Sequence, residues 1–400
     1  MCYDMDPAAQ QRMESYFTDG IGPLLRNKNQ RASFSLYAQG ILGQGERKSA
    51  EPIAARLTAD PAKVNPMHQR LLHFLANAVW DDQAVRLHAA RYALEPMQKR
   101  GPVLSWSVDD TGFLKQGTHS VGVQRQYTGS AGKVTNCQVA VSLTLCTAQA
   151  HLPVDMALYL PQQWAQDPVR RQEAHIPPQV EFQTKPQLAV QMLRRAVDAG
   201  LPKGAVLADS AYGNNGWFRE QVLEMGLPYG VGLLSTTLVQ VLDAQGQRCE
   251  ALSASELARR IGRKGFRRHT WREGTRRRLE SRFAFVPVAI PGQERKQLLV
   301  IEWPLGEAEP EHYFLCTFGA GMTHKAIVRL LKERYRIEQT YREMKGELGL
   351  DHFEGRSYRG WNHHVSVVLS CYALVLAERE RAFPPSARSK GEANAQHRAA

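Results

Sequence analysis

The sequence predicts a mixed α/β sheet protein with helices at both ends, on three observations. Up to about residue 98 apolar residues recur at helical spacing, and after Gly101-Pro102 the spacing changes to two. The elements that follow run strand–strand–strand–helix–strand–helix–strand, the order of a mixed sheet covered by helices. Two acids, Asp109 and Asp209, close the first and fourth of these strands, where open α/β sheets place their chemistry.

In the first region, residues 1–98, Ser33-Phe-Ser-Leu-Tyr37 leads to Ile41-Leu42, and Leu71, Leu72, Leu75 and Val79 repeat on one helical face. Arg26, Lys28, Arg31, Arg47 and Lys48 make its early part basic. The nearby Gly40-x-x-Gly-x-Gly45 lacks the Lys-Ser/Thr of a nucleotide loop and reads as a turn.

Residues 99–239 form the first part of the sheet domain. Leu104-Ser-Trp-Ser-Val108 alternates and stops at Asp109-Asp-Thr-Gly112. Strands follow over 134–147 and 151–160, then a polar connection over 161–185. An amphipathic helix over 187–199 is closed by Gly200, and Ala205-Val-Leu-Ala-Asp209 is a short buried strand. A helix over 217–225 and a strand over 229–234 end the segment.

Residues 240–320 read as a basic, β-rich insertion with strands over 282–290, 297–303 and 311–318. Its run from 259 to 278 holds ten lysines and arginines against Glu273 alone. Helices over 323–346 and 360–381 complete the sheet domain within 321–383. The polar, basic tail 384–400 reads as disordered.

Composition narrows the function. Lys and Arg number 51 against 39 acids, a net charge of +12 that favours a polyanionic partner, nucleic acid before membrane. Cys2, Cys137, Cys146, Cys249, Cys316 and Cys371 form no Cys-x-x-Cys pair, so a cytoplasmic setting is expected without a disulfide framework or a cysteine zinc site. Acids at 4, 6, 14 and 19 argue against a secretory leader. The longest mainly apolar stretch, 365–377, falls short of the roughly 20 residues of a spanning helix and reads as a buried core helix.

Glu338 carries the next signal. At about 100° per residue, Arg334, Tyr341 and Lys345 share its helix face. One reading is a solvated face with an Arg–Glu pair contributing a few tenths of a kcal/mol. The other is a carboxylate that joins Asp109 and Asp209 in holding magnesium, with cations for phosphate. Asp109 and Asp110 could each sit at the strand end, on opposite faces. Asp155 reads as structural, and His363-His364 as a helix-surface pair.

The motifs point to a family. Asp109-Asp-Thr-Gly-Phe-Leu-Lys115, followed by His119 to Tyr127 and by Asn136-Cys-Gln138, resembles the first-aspartate motif of DDE transposases of bacterial insertion sequences. Leu207-Ala-Asp209-Ser-Ala-Tyr-Gly213 resembles the second, and Tyr335-Arg-Ile-Glu338 with Lys345 and Gly349-Leu-Asp-His352 the third. The likeness spans roughly residues 20–380 and is similar to the insertion-sequence group seven-oh-one, relatives of cut-and-paste enzymes with a Tyr/Arg/Glu/Lys helix signature. The signature tyrosine is Leu331 here.

The resemblance implies a ribonuclease-H-like core and catalytic, metal-binding roles for Asp109 (the better match of the two neighbouring acids), Asp209 and Glu338. It implies two Mg²⁺ ions, replaceable by Mn²⁺, which assist cleavage at the element's ends and strand transfer into target DNA. It also implies double-stranded DNA partners (terminal inverted repeats and target), an N-terminal domain that helps recognise the ends, no membrane, a homodimer on DNA and a bacterial, nucleoid-associated location. Arg334 and Lys345 would contact phosphate near the cut. Lys115, Arg125, Arg267, Arg268, Arg276, Arg277 and Arg278 are further expected DNA contacts, and Phe266 and Trp271 within the basic run suit base stacking. A competing reading is a non-catalytic DNA-binding protein derived from a transposase. The intact acid triplet argues against it.

Overall fold

The structure is a computed structural model that describes residues 6–273, 278–318 and 321–382. Arg276, Arg277 and the tail 384–400 lie outside the described residues.

Five helices open the chain: α1 (Pro7–Ser15), α2 (Lys28–Leu42), α3 (Ala50–Leu57), α4 (Val64–Ala76) and α5 (Asp82–Arg100). Local chemistry sets their starts. Asn27 Oδ1 accepts from the Gln30 amide at 3.0 Å, and Asp81 Oδ1 from the Ala84 amide at 2.9 Å, each satisfying an amide that the first turn leaves unpaired. Gly40 is not in a turn but inside α2. A β-carbon there would lie 2.2 Å from Ile53 Cγ2, so the glycine lets α2 and α3 touch.

The sheet domain contains β1 (Ser105–Leu114), β2 (Gln124–Thr128), β3 (Lys133–Cys146) and β4 (His151–Tyr159). Short helices α6 (Gln162–Gln166) and α7 (Pro168–Glu173) occupy the polar connection. Next come α8 (Lys185–Asp198), β5 (Ala205–Ala208), α9 (Ser210–Gly213), α10 (Gly216–Glu224) and β6 (Tyr229–Leu233). Thr184 and Gln187 form a capping box, which starts α8 at Lys185, two residues before the expected 187.

Strand order β4-β3-β1-β5-β6, with β1 antiparallel to β3 and parallel to β5 and β5 parallel to β6, is the ribonuclease-H-like arrangement. The strand β2, absent from the predicted order, pairs with β3 at 133–137, beside the stretch that β4 takes.

The first strand does not stop at Asp109. The long β3 supplies partners from Cys146 down to Cys137, so β1 continues through Asp109 and Asp110 to Leu114. Its parallel ladder with β5 covers only Ser105–Ser107, so Asp109 still stands just beyond the end of that ladder.

The insertion contributes β7 (Leu238–Leu242), β8 (Arg248–Ser253), α11 (Ala254–Ile261), β9 (Arg267–Glu273), β10 (Arg278–Ala289), β11 (Lys296–Pro304) and β12 (His312–Cys316). It is not a separate layer. β12 pairs antiparallel with β6, and β11, β10, β7 and β8 continue the same sheet, with β9 also on β10.

The helix predicted over 323–346 is two helices, α12 (His324–Lys332) and α13 (Tyr335–Gly346). The break has a packing reason. Ile327, Val328 and Leu331 of α12 fill a small core with Leu207, Phe283, Val300 and Cys316, whereas Ile337, Tyr341 and Met344 of α13 enter the main core.

The last helix, α14 (Tyr358–Ala382), is buried along most of its length, as its apolar run predicts. Among the described residues no helix is long and apolar enough to cross a membrane. His363 and His364 are not on its surface. His363 stacks on Trp80 at 3.9 Å and meets the Leu75 carbonyl, while His364 Nδ1 lies 2.9 Å from the Tyr37 hydroxyl. Two histidines on a helix clamped between α2, α4 and the core satisfy their ring nitrogens internally.

Candidate active site

Three elements bring the candidate acids near one another. Asp109 sits on β1, Asp209 follows β5 directly, and Glu338 lies in the first turn of α13. Asp209 caps α9, accepting from the Ala211 amide at 2.9 Å. Its turn lies close against β6. A β-carbon on Gly213 would stand 1.8 Å from the Gly232 carbonyl oxygen, and one on Gly232 2.7 Å from the Ser210 amide. Only glycines permit that approach.

Asp209, Arg334 and Glu338 line one open cleft of about 530 Å³, which Lys332 and Tyr335 also border. Asp109 is more enclosed. Burial pushes its carboxyl up to about 7, Arg334 opposes that rise, and the nearby charge of Asp209 adds to it. Arg334 Nη1 donates to Asp109 Oδ2 at 2.6 Å, and Asp109 Oδ1 accepts from the Asp110 amide at 2.8 Å.

The neighbouring acid faces elsewhere. Asp110 pairs with Lys185 at the start of α8, at 2.9 Å, on the opposite face of the sheet. Lys185 received no role from the sequence, because nothing in a linear pattern shows that the start of α8 lies against β1.

Other predicted site residues are turned inward. Lys345 Nζ donates to the Gly112 carbonyl at 2.6 Å over the Phe113 ring, and burial lowers its pKa. Lys115 Nζ donates to the Phe353 carbonyl at 2.5 Å and is likewise lowered by burial. Tyr341 is buried and shares a 2.6 Å hydrogen bond with Ser142 on β3, which ties α13 to the strand beside Asp109. Leu331 is core, which accounts for an apolar residue at the signature tyrosine position.

Arg125, Arg267, Arg268 and Arg278 are exposed, with Arg268 3.4 Å from Glu280. Stacking by Phe266 is not supported. It is buried edge-on against Trp303 at 5.2 Å, just before β9, while the following Arg267 and Arg268 are exposed. Asp155 is structural, as expected, held between Arg86 at 2.9 Å and Arg195 at 2.7 Å.

Residues 21–278 match the family described as DDE superfamily endonuclease, and residues 184–374 match the transposase DDE domain. The chain belongs to the DDE superfamily. It is also 29% identical over 214 residues to a "Probable transposase for insertion sequence element IS701" of Microchaete diplosiphon. That match covers 53% of this chain and 51% of the relative, so the chain spans about half the length of the curated relative it matches.

Transposases of this superfamily generally use divalent metals. Three carboxylates, as hard oxygen donors, fit a magnesium or manganese ion by chemistry. Among the described residues, however, no three acid, histidine or cysteine side chains stand close enough to share one ion. Asp109 is instead engaged by Arg334.

Proposed function

We propose that this chain is a transposase that cuts DNA at the terminal inverted repeats of its element and joins the freed 3′ ends to target DNA. The observation that carries the proposal is convergence. Asp209, directly after β5, and Glu338, on α13, line one cleft, and Asp109, on the adjacent parallel strand β1, feels the charge of Asp209 and pairs with Arg334 of the same cleft. Those three acids would hold two Mg²⁺ or Mn²⁺ ions, which would supply charge to the attacking and leaving oxygens of the phosphoryl transfer.

The chain's own residues set the geometry. Ser142 and Tyr341 fix α13 against β3, which holds Glu338 over the cleft. The Gly213–Gly232 contact fixes the turn bearing Asp209. Arg334 neutralises Asp109 and is poised to pass to a DNA phosphate at the same place, since a guanidinium binds carboxylate and phosphate alike. A homodimer on DNA would supply one such site for each element end.

The test is incubation of the purified protein with DNA carrying the flanking inverted repeats and Mg²⁺. Cut ends and strand-transfer products are expected. Asp109→Ala, Asp209→Ala and Glu338→Ala should each abolish cutting while end binding persists. A Glu338→Ala protein that cuts at the wild-type rate would refute the site.

A further inference from the structure

A second feature adjoins the acid cleft. On the other side of Tyr335 and Lys332, which border both, lies an open groove of about 610 Å³ between β9, α12, α13 and α14. It runs on past Trp271, Arg272 and Arg329 into a smaller hollow of about 350 Å³ that Lys325 also lines.

The groove is strongly cationic. Lys332, Arg336 and Arg379 each have an acid nearby, respectively Glu302, Glu333 and Glu380. Arg272, Lys325 and Arg329 have no carboxylate partner among the described residues, and all three are exposed. Convergent cations without acids repel one another, and an anion in the groove relieves that repulsion.

Three further points narrow the occupant. The groove is elongated and open, which suits a string of anions better than one. Its aromatic faces are already covered: Lys332 lies 4.7 Å over Trp271, and Arg272 and Arg336 lie 5.1 Å and 5.6 Å from the Tyr335 ring. That leaves charge, rather than base stacking, as the means of binding. The groove also shares Lys332 and Tyr335 with the cleft of Asp209 and Glu338.

We propose that this groove carries the sugar–phosphate backbone of the DNA as it leaves the acid cleft, gripping it without regard to sequence. The proposal rests on the DNA-processing reading above and adds Lys325 and Arg329, which lie outside the resemblance motifs.

The experiment measures binding of a labelled duplex and of the matching single strand in EDTA, by fluorescence anisotropy across a salt series. In Lys325→Ala/Arg329→Ala the slope of log K against log salt should be shallower by about two units for duplex and about 1.4 for single strand. Between about 50 and 200 mM salt the wild-type duplex affinity should therefore fall roughly tenfold more than that of the variant. The charge-retaining Lys325→Arg/Arg329→Lys protein should keep the wild-type slope. If the alanine pair leaves both slopes unchanged, or the charge-retaining pair flattens them equally, the groove is not a phosphate track. A change confined to one nucleic acid identifies the form that the groove holds. Because metal is absent, a protein with the predicted slopes that never cuts DNA refutes the cleavage reading alone. One that cuts normally with an unaltered slope refutes the groove alone.

Discussion

Arg334 reaches from the start of α13 to the carboxylate of Asp109, 2.6 Å from Nη1 to Oδ2, and makes no ion pair with Glu338 four residues ahead on its own helix. The pair joins elements 225 residues apart, so it is a tertiary contact that helical spacing does not reveal.

Removing the arginine alone leaves a largely buried carboxylate without its counter-charge. Both side chains are less than one-third exposed, so Arg334→Met should cost roughly 2 kcal/mol in urea unfolding without metal, between the values for exposed and buried pairs. With Asp109→Asn present, the same substitution should cost much less. Additive losses in that double-mutant cycle would show that the two groups do not pair in solution.

A deeper network makes a stronger case. Asp155 is buried and bridges Arg86, which is 4% exposed in its side chain, to Arg195. Asp155→Asn leaves Arg86 with Asp82 at 3.0 Å as its remaining acid and should destabilise the protein by about 3 kcal/mol or more. Glu95→Gln, which breaks the exposed pair with Lys99, should change stability by less than about 1 kcal/mol. Equal effects would place Asp155 in solvent.

Acid should loosen the contact between α14 and the N-terminal helices. Burial lowers the pKa of His364 to about 4, and His363 behaves likewise. The unfolded imidazole takes its proton near 6.5, whereas the folded one resists until about 4. Stability from this source is therefore complete above pH 6.5 and lost as pH falls toward 4, by up to about 3 kcal/mol per histidine. Tm measured from pH 7.5 to 4.5 should fall less steeply for His364→Gln than for the wild type, from a lower starting value. Parallel curves would remove His364 as the cause.

The glycine contact behind Asp209 should be intolerant of a methyl group. Gly232→Ala places a β-carbon 2.7 Å from the Ser210 amide and 3.0 Å from the Asp209 carbonyl carbon. A loss of about 1–3 kcal/mol and a fall of at least tenfold in DNA cutting are expected, because the turn bearing the acid must shift. Gly117→Ala, where the added carbon meets nothing within 4 Å, is the control and should leave both measurements near wild type.

Strong local signals made much of this molecule legible in one dimension. Alternation at Val139, Val141, Leu143 and Leu145 marks β3, the short apolar run before Asp209 marks β5, and the mainly apolar stretch 365–377 of α14 marks a core helix, because periodicity and burial are written in neighbouring residues. The motif resemblance supplied the ribonuclease-H-like core, and it is the source of the three acids proposed for the site. Partner choice is different, since it depends on which distant faces meet. Sequence placed Arg334 beside Glu338, but β1 and α13 pack so that Asp109 receives it. It put His363 and His364 at the surface, whereas α2 and α4 enclose them. It ended β1 at Asp109, which the length of β3 extends to Leu114. It treated the helix over 323–346 as one, although two separate cores divide it. Short-range chemistry shaped the elements; only their packing decided which charges would lie together in low dielectric, where pairing matters most.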